Sequence, residues 1–119
     1  MDGCRPLSRV ARAAPVWTPV CAVVDIPRLG ARVLERPGDA RGNVAIFRSG
    51  DDRVFALDDR CPHRGGPLSQ GIVHGDRVAC PLHNWSIELA SGEAVAPDAG
   101  CARRFPVSVE RDVVYVALT

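Results

Sequence analysis

The 119-residue chain carries 15 basic and 14 acidic residues for a formal net charge of +1, a balance that gives no ground for a nucleic-acid or anionic-membrane partner. This length supports one domain with a modest core. The longest apolar runs, at 20–24 and 113–118, fall far short of the roughly 18 residues that a membrane helix needs, so the chain is expected to be soluble.

Residues 1–16 mix Arg, Ala and Pro without a sustained period and read as a flexible N-terminal extension. They lack the continuous apolar segment of a secretory signal. The five cysteines are an odd set. Cys4, Cys21 and Cys101 are expected to be free thiols in a reducing cytoplasm, because a secreted domain would pair them.

From Trp17 the β-branched content rises, and a first strand over 17–24 is ended by Asp25-Ile26-Pro27. Short β-like runs follow at 31–35, 43–48 and 53–58, separated by the turn sequences Pro37-Gly38-Asp39 and Ser49-Gly50-Asp51-Asp52. In the 43–48 run Val44 and Ile46 alternate with Ala45 and Phe47, so both faces are expected to be at least partly buried. Residues 72–79 form a small hairpin turning at Gly75-Asp76. Two strands at 86–89 and 93–95 flank Ala90-Ser91-Gly92, and runs at 104–110 and 113–118 close the sheet around Arg111-Asp112. No segment longer than a turn has a 3.6-residue period. Many short strands with turn chemistry between them predict an antiparallel all-β sandwich or barrel over 17–119.

Two stretches inside that pattern carry chemistry. Cys61-Pro62-His63 is followed, after sixteen residues, by Cys80-Pro81-Leu82-His83. Each offers one thiolate and one imidazole. Pro62 and Pro81 restrict the turn directly after each cysteine, and Gly65 and Gly66 let the backbone bend close to a bound group. A zinc ion accepts the same atoms, but structural zinc sites usually pair cysteine with cysteine and histidine with histidine. A Cys61–Cys80 disulfide would leave both histidines without a task. A binuclear iron–sulfide centre of the kind in which two histidines replace two cysteines on one iron uses all four residues. His74 belongs to neither loop and is read as a surface or hairpin residue.

With these residues the chain resembles the Rieske ferredoxin-like family from Trp17 onward. The likeness rests on Val54-Phe55-Ala56-Leu57-Asp58, the stretch from Cys61 through Gly65-Gly66-Pro67-Leu68-Ser69-Gln70 to Gly71, Cys80-Pro81-Leu82-His83-Asn84-Trp85, and Pro97-Asp98-Ala99-Gly100-Cys101. His83-Asn84-Trp85 and the Asp98-to-Cys101 ending resemble the branch of small subunits of assimilatory NAD(P)H-dependent nitrite reductases. The resemblance implies a Rieske-type antiparallel β-sandwich or barrel with an inserted two-loop cluster-binding subdomain at about 59–98. It implies a [2Fe–2S] cluster with Cys61 and Cys80 on one iron and His63 and His83 on the other, covered on a third side by a proline loop at 92–97.

By the same resemblance, the chain would relay single electrons through the imidazole edges, with no bond chemistry of its own. The expected partner is a cytoplasmic nitrite reductase large subunit holding FAD, a [4Fe–4S] cluster and sirohaem. The alternative is a stand-alone ferredoxin supplying an aromatic-ring dioxygenase; the 36 residues after His83 leave no room for an oxygenase's own catalytic domain. High-potential respiratory relatives have a cysteine pair where this chain has Gly66 and Leu82, and serine and tyrosine hydroxyls where it has Trp85 and Ile87. Fewer donors to sulfur imply a reduction potential toward the low end of the Rieske range.

Overall fold

The computed structural model describes residues 17–35, 42–62, 66–81, 85–95 and 100–117. Among these residues ten strands form three sheets: β1 (Trp17–Ala22), β2 (Gly30–Leu34), β3 (Val44–Arg48), β4 (Val54–Asp58), β5 (Ile72–His74), β6 (Arg77–Ala79), β7 (Ser86–Glu88), β8 (Arg104–Phe105), β9 (Val107–Glu110) and β10 (Val113–Ala117). The sheet orders are β1-β10-β9, β2-β3-β4-β8 and β5-β6-β7, and every pairing is antiparallel. Among the described residues the only helical segments are two single 3-10 turns, Val23–Asp25 and Leu68–Gln70. The expected all-β architecture is therefore what the chain adopts. The predicted extension at 1–16 lies outside the described residues.

The four-stranded sheet is the middle layer, and β3 explains why. Val44, Ala45, Ile46 and Phe47 are all fully buried. Val44 and Ile46 point into one apolar cluster with Ile26, Ala56, Phe105, Val114 and Val116, against the β1-β10-β9 sheet. Ala45 and Phe47 point the other way, into a cluster with Leu57, Leu68, Val73, Val78, Ile87 and Leu89. Successive side chains of a strand face opposite sides, so an uninterrupted apolar run serves two cores at once. Full burial of Val44, Ile46 and Phe47 is worth about 1.5–3 kcal/mol for each side chain.

Two predicted strands are altered by the backbone. The 104–110 run is split into β8 and β9 by Pro106, which has no N–H to give a ladder. Residues 93–95 do not form a strand; Glu93 and Ala94 make only isolated bridges, to Cys101 and Ile87 respectively. Pro19 is accommodated because β1 is an edge strand, and its pairing with β10 slips between Pro19 and Cys21.

Candidate metal centre

The two cysteine loops are built at the end of the β5-β6-β7 lobe. The first leaves β4, passes Cys61 and Gly66, and enters the 3-10 turn Leu68–Gln70 that leads to β5. Its tip is closed by the Cys61 N–H donating to the Gly66 carbonyl at 2.7 Å. The second is the β6-to-β7 connection: Cys80 follows Ala79, and its N–H donates to the Trp85 carbonyl at 2.6 Å, just before β7 begins. Each cysteine thus opens a tight loop closed by its own amide. The same local rule operates twice on unrelated flanking strands.

Cys61 and Cys80 are 1% and 0% exposed and belong to one apolar cluster with Leu68, Val73, Val78, Ile87 and Leu89. Neither is disulfide-bonded, which disposes of the reading in which they pair with one another. Two buried thiols in one core, each at the mouth of a tight loop, fit sulfur ligation of a shared group that is itself shielded from water. His63 and His83 lie outside the described residues, as do Gly65 and Leu82. The buried Gly66 uses its carbonyl to brace the cysteine.

A third segment meets the first loop from the side. Gly92 to Val95 runs antiparallel to Gly100 to Ala102, with Ala102 N–H donating to Gly92 O at 2.7 Å and Ala94 N–H to Gly100 O at 2.9 Å. A Cβ added to Gly100 would sit 3.2 Å from the Pro62 Cβ, so this segment reaches the residue next to Cys61. The intervening 96–99, with the proline of the expected covering loop, lies outside the described residues.

Trp85 is half-buried and packs against the cysteine-bearing core, beside a fully buried Ile87. His74 is exposed at the end of β5, paired with Arg77 across the Gly75-Asp76 turn, as its reading as a hairpin residue requires. One thiol expectation is corrected. Cys101 is disulfide-bonded, so the argument from free thiols to a reducing cytoplasm loses a member. Cys21 is a thiol whose pKa is pushed up by burial, against a smaller lowering by Arg32.

Sequence spacing missed the polar brace at the base of the first loop. The Asp59 carboxylate accepts from both the backbone N–H and the hydroxyl of Ser69, at 2.7 and 2.8 Å. An Asp ten residues from a Ser has no periodicity to announce it.

Comparison with known proteins identifies the family. The family model of the Rieske [2Fe-2S] domain matches residues 16–106. The 3-phenylpropionate/cinnamic acid dioxygenase ferredoxin subunit of Photorhabdus laumondii is 34% identical over 102 residues, covering 84% of this chain and 92% of that protein. The ferredoxin complexed with its oxygenase in carbazole 1,9a-dioxygenase superposes with a TM-score of 0.76 at 32% identity, covering 87% of this chain and 94% of that one. A chain from Mycobacterium tuberculosis described as an NADH-dependent nitrite reductase small subunit superposes with a TM-score of 0.77, covering 90% and 98%, but at 24% identity that likeness is one of fold alone. The match across both cysteine loops, on an all-β scaffold that seats the two thiols in one core, places this chain in the Rieske [2Fe-2S] domain family, whose cofactor is a [2Fe–2S] cluster and whose task in oxidoreductase systems is electron transfer.

Proposed function

We propose that this chain is a Rieske ferredoxin that carries single electrons from a nicotinamide-dependent flavin reductase to a terminal oxygenase acting on an aromatic compound. The observation that carries this reading is the 34% identity, over nearly the full length of both chains, with the dioxygenase ferredoxin subunit. It reverses the order of the two functions that the sequence motifs favoured. A likeness at 24% identity supports no comparable transfer of function from the nitrite reductase small subunit.

In this reading Cys61 and Cys80 hold one iron through sulfur, and His63 and His83 hold the other through ring nitrogen. The bound cluster supplies a one-electron couple. The chain's own part is to seat the two sulfurs in an apolar core, brace each cysteine by its amide, and exclude water from the thiolate side. No residue of this chain acts on the organic substrate. A cytoplasmic location is part of the proposal and follows from the nicotinamide donor.

The nitrite reductase branch is kept as a second reading because His83-Asn84-Trp85 and the Asp98-to-Cys101 ending resemble it. Capture of native partners with the tagged, loaded chain separates the two. Recovery of an oxygenase, with reduction of that oxygenase by the purified chain, supports the first. Recovery of a sirohaem enzyme holding FAD and a [4Fe–4S] cluster would replace it with the second.

A further inference from the structure

The base of the first cysteine loop is fastened in a way the cluster ligands do not explain. Asp59 directly follows β4, and its N–H donates to the Asn43 carbonyl at 3.0 Å, tying it to the start of β3. Its two carboxylate oxygens are both used on one residue: Oδ1 accepts from the Ser69 N–H at 2.7 Å and Oδ2 from the Ser69 hydroxyl at 2.8 Å. Ser69 is the middle residue of a 3-10 turn whose Leu68 is fully buried in the cysteine-bearing core. The carboxylate therefore joins the two ends of the span that contains Cys61, and both ends are anchored in turn to the middle sheet and the core.

Hydrogen bonds to an ionised acceptor are roughly twice as strong as neutral ones. Two of them on one donor residue fix both the separation and the orientation of the joined segments. Without them, the Cys61-to-Gly66 bond still closes the tip, but the loop gains conformational freedom that ligation must remove again.

We propose that Asp59 is a positioning residue for the cluster: its carboxylate, clamped on Ser69, holds the first loop in the conformation in which Cys61 is presented to iron. It touches no metal and acts through the backbone of the loop. The inference rests on Cys61 being a ligand, and deepens that reading.

The test compares the full-length chain with Asp59→Ala, Asp59→Asn, Ser69→Ala and the Asp59→Ala/Ser69→Ala pair, each loaded with iron and sulfide. Cluster loss to a chelator is followed by visible absorbance. Amide hydrogen exchange at Ser69, Gln70 and Gly71 and along β3 is followed in the unloaded protein. Partners hydrogen-bonded to a metal's own ligands typically carry about 10–100-fold in metal affinity; acting one step further out, Asp59→Ala is expected to lose its cluster about tenfold faster, at the lower end of that range. It should show faster exchange at 69–71 and unchanged exchange in β3. Ser69→Ala, which keeps the backbone donor, should fall between.

Asp59→Asn keeps one oxygen, now neutral, for the Ser69 N–H and should recover part of the hold. The double variant should be no worse than Asp59→Ala, because both changes break one contact. A cluster-loss rate in Asp59→Ala within about twofold of the parent, well below that range, would overturn the proposal. So would a rise in β3 exchange equal to that at 69–71. If the parent chain never takes up iron and sulfide, the ligand reading fails instead, and the exchange comparison in unloaded protein still decides whether Asp59 holds the loop.

Discussion

The carbonyl of Ala102 lies against the α-carbon of Gly92 so closely that a Cβ there would fall 2.0 Å from the oxygen. Gly92 also has φ +80 and accepts from the Ala102 N–H at 2.7 Å. Only glycine satisfies the backbone angle and the close approach together. Gly92→Ala must therefore break the 92–102 contact, and with it the support of the segment that reaches Pro62. The expected cost is about 2 kcal/mol or more, since a left-handed non-glycine residue alone costs about 1–3 kcal/mol. Chemical denaturation of the unloaded protein measures it, and an unchanged midpoint would show that the segment yields freely.

Phe47 offers a test of the two-core architecture. It is fully buried on the cysteine side of β3, while its neighbour Ile46 is fully buried on the other. Phe47→Ala should destabilise the chain by about 3–5 kcal/mol and Ile46→Val by about 0.5–1.5 kcal/mol. Because β3 joins both clusters, each variant should still unfold in one transition. Separate transitions for the two cores would contradict the shared strand.

Histidine ligation is tested by loss of signal. His83→Ala should abolish the Rieske-type electron paramagnetic resonance signal and leave the β-sheet circular dichroism in place. Persistence of the signal would remove His83 from the ligand set. Cys101→Ser should keep the signal, since Cys101 is disulfide-bonded and stands outside both cysteine loops.

The reduction potential should lie nearer about −150 mV than about +300 mV. Ile87 is fully buried and Trp85 packs on the cysteine-bearing core, so neither position supplies a hydroxyl to a cluster sulfur. Protein-film voltammetry reads the value directly. A midpoint in the upper half of that range would mean that other donors replace the missing hydroxyls.

Acid sensitivity has one visible contributor at the β3–β4 turn. Hydrogen bonding from the Ser49 hydroxyl, and then from Arg53, holds the Asp51 carboxyl below the usual carboxylate range. A depressed folded-state pKa adds stability above the unfolded-state value, and that stability is lost as pH falls through the folded-state value. The parent chain should therefore exceed Asp51→Asn in stability at neutral pH, with the gap closing on acidification. The exposed position keeps the effect small, and a gap that widens toward low pH would reverse the assignment.

Strand periodicity and turn residues were enough to locate most of the β-structure, because alternation and Gly/Asp turns are local signals. Val44 to Phe47 even declared its two buried faces. What spacing could not reveal were features set by contacts distant in sequence. Pro106 splits one run into two strands that join different sheets, and residues 93–95 are captured by Cys101 and Ile87 as bridges. In the site, the cysteine positions were legible because two Cys-Pro turns repeat a pattern. The Asp59–Ser69 clamp and the Cys101 disulfide depend on how the chain folds back, and identity over most of the chain favours the second of the two partners that the residues after His83 ranked the other way.

The burial of Cys61 and Cys80 among Leu68, Val73, Val78 and Ile87 has a cost for any molecule that fails to receive its cofactor. A group that grips both sulfurs only in the native state lends its affinity to the fold. A chain left empty lacks that contribution, so loading with iron and sulfide should raise the unfolding midpoint and slow cleavage by an added protease.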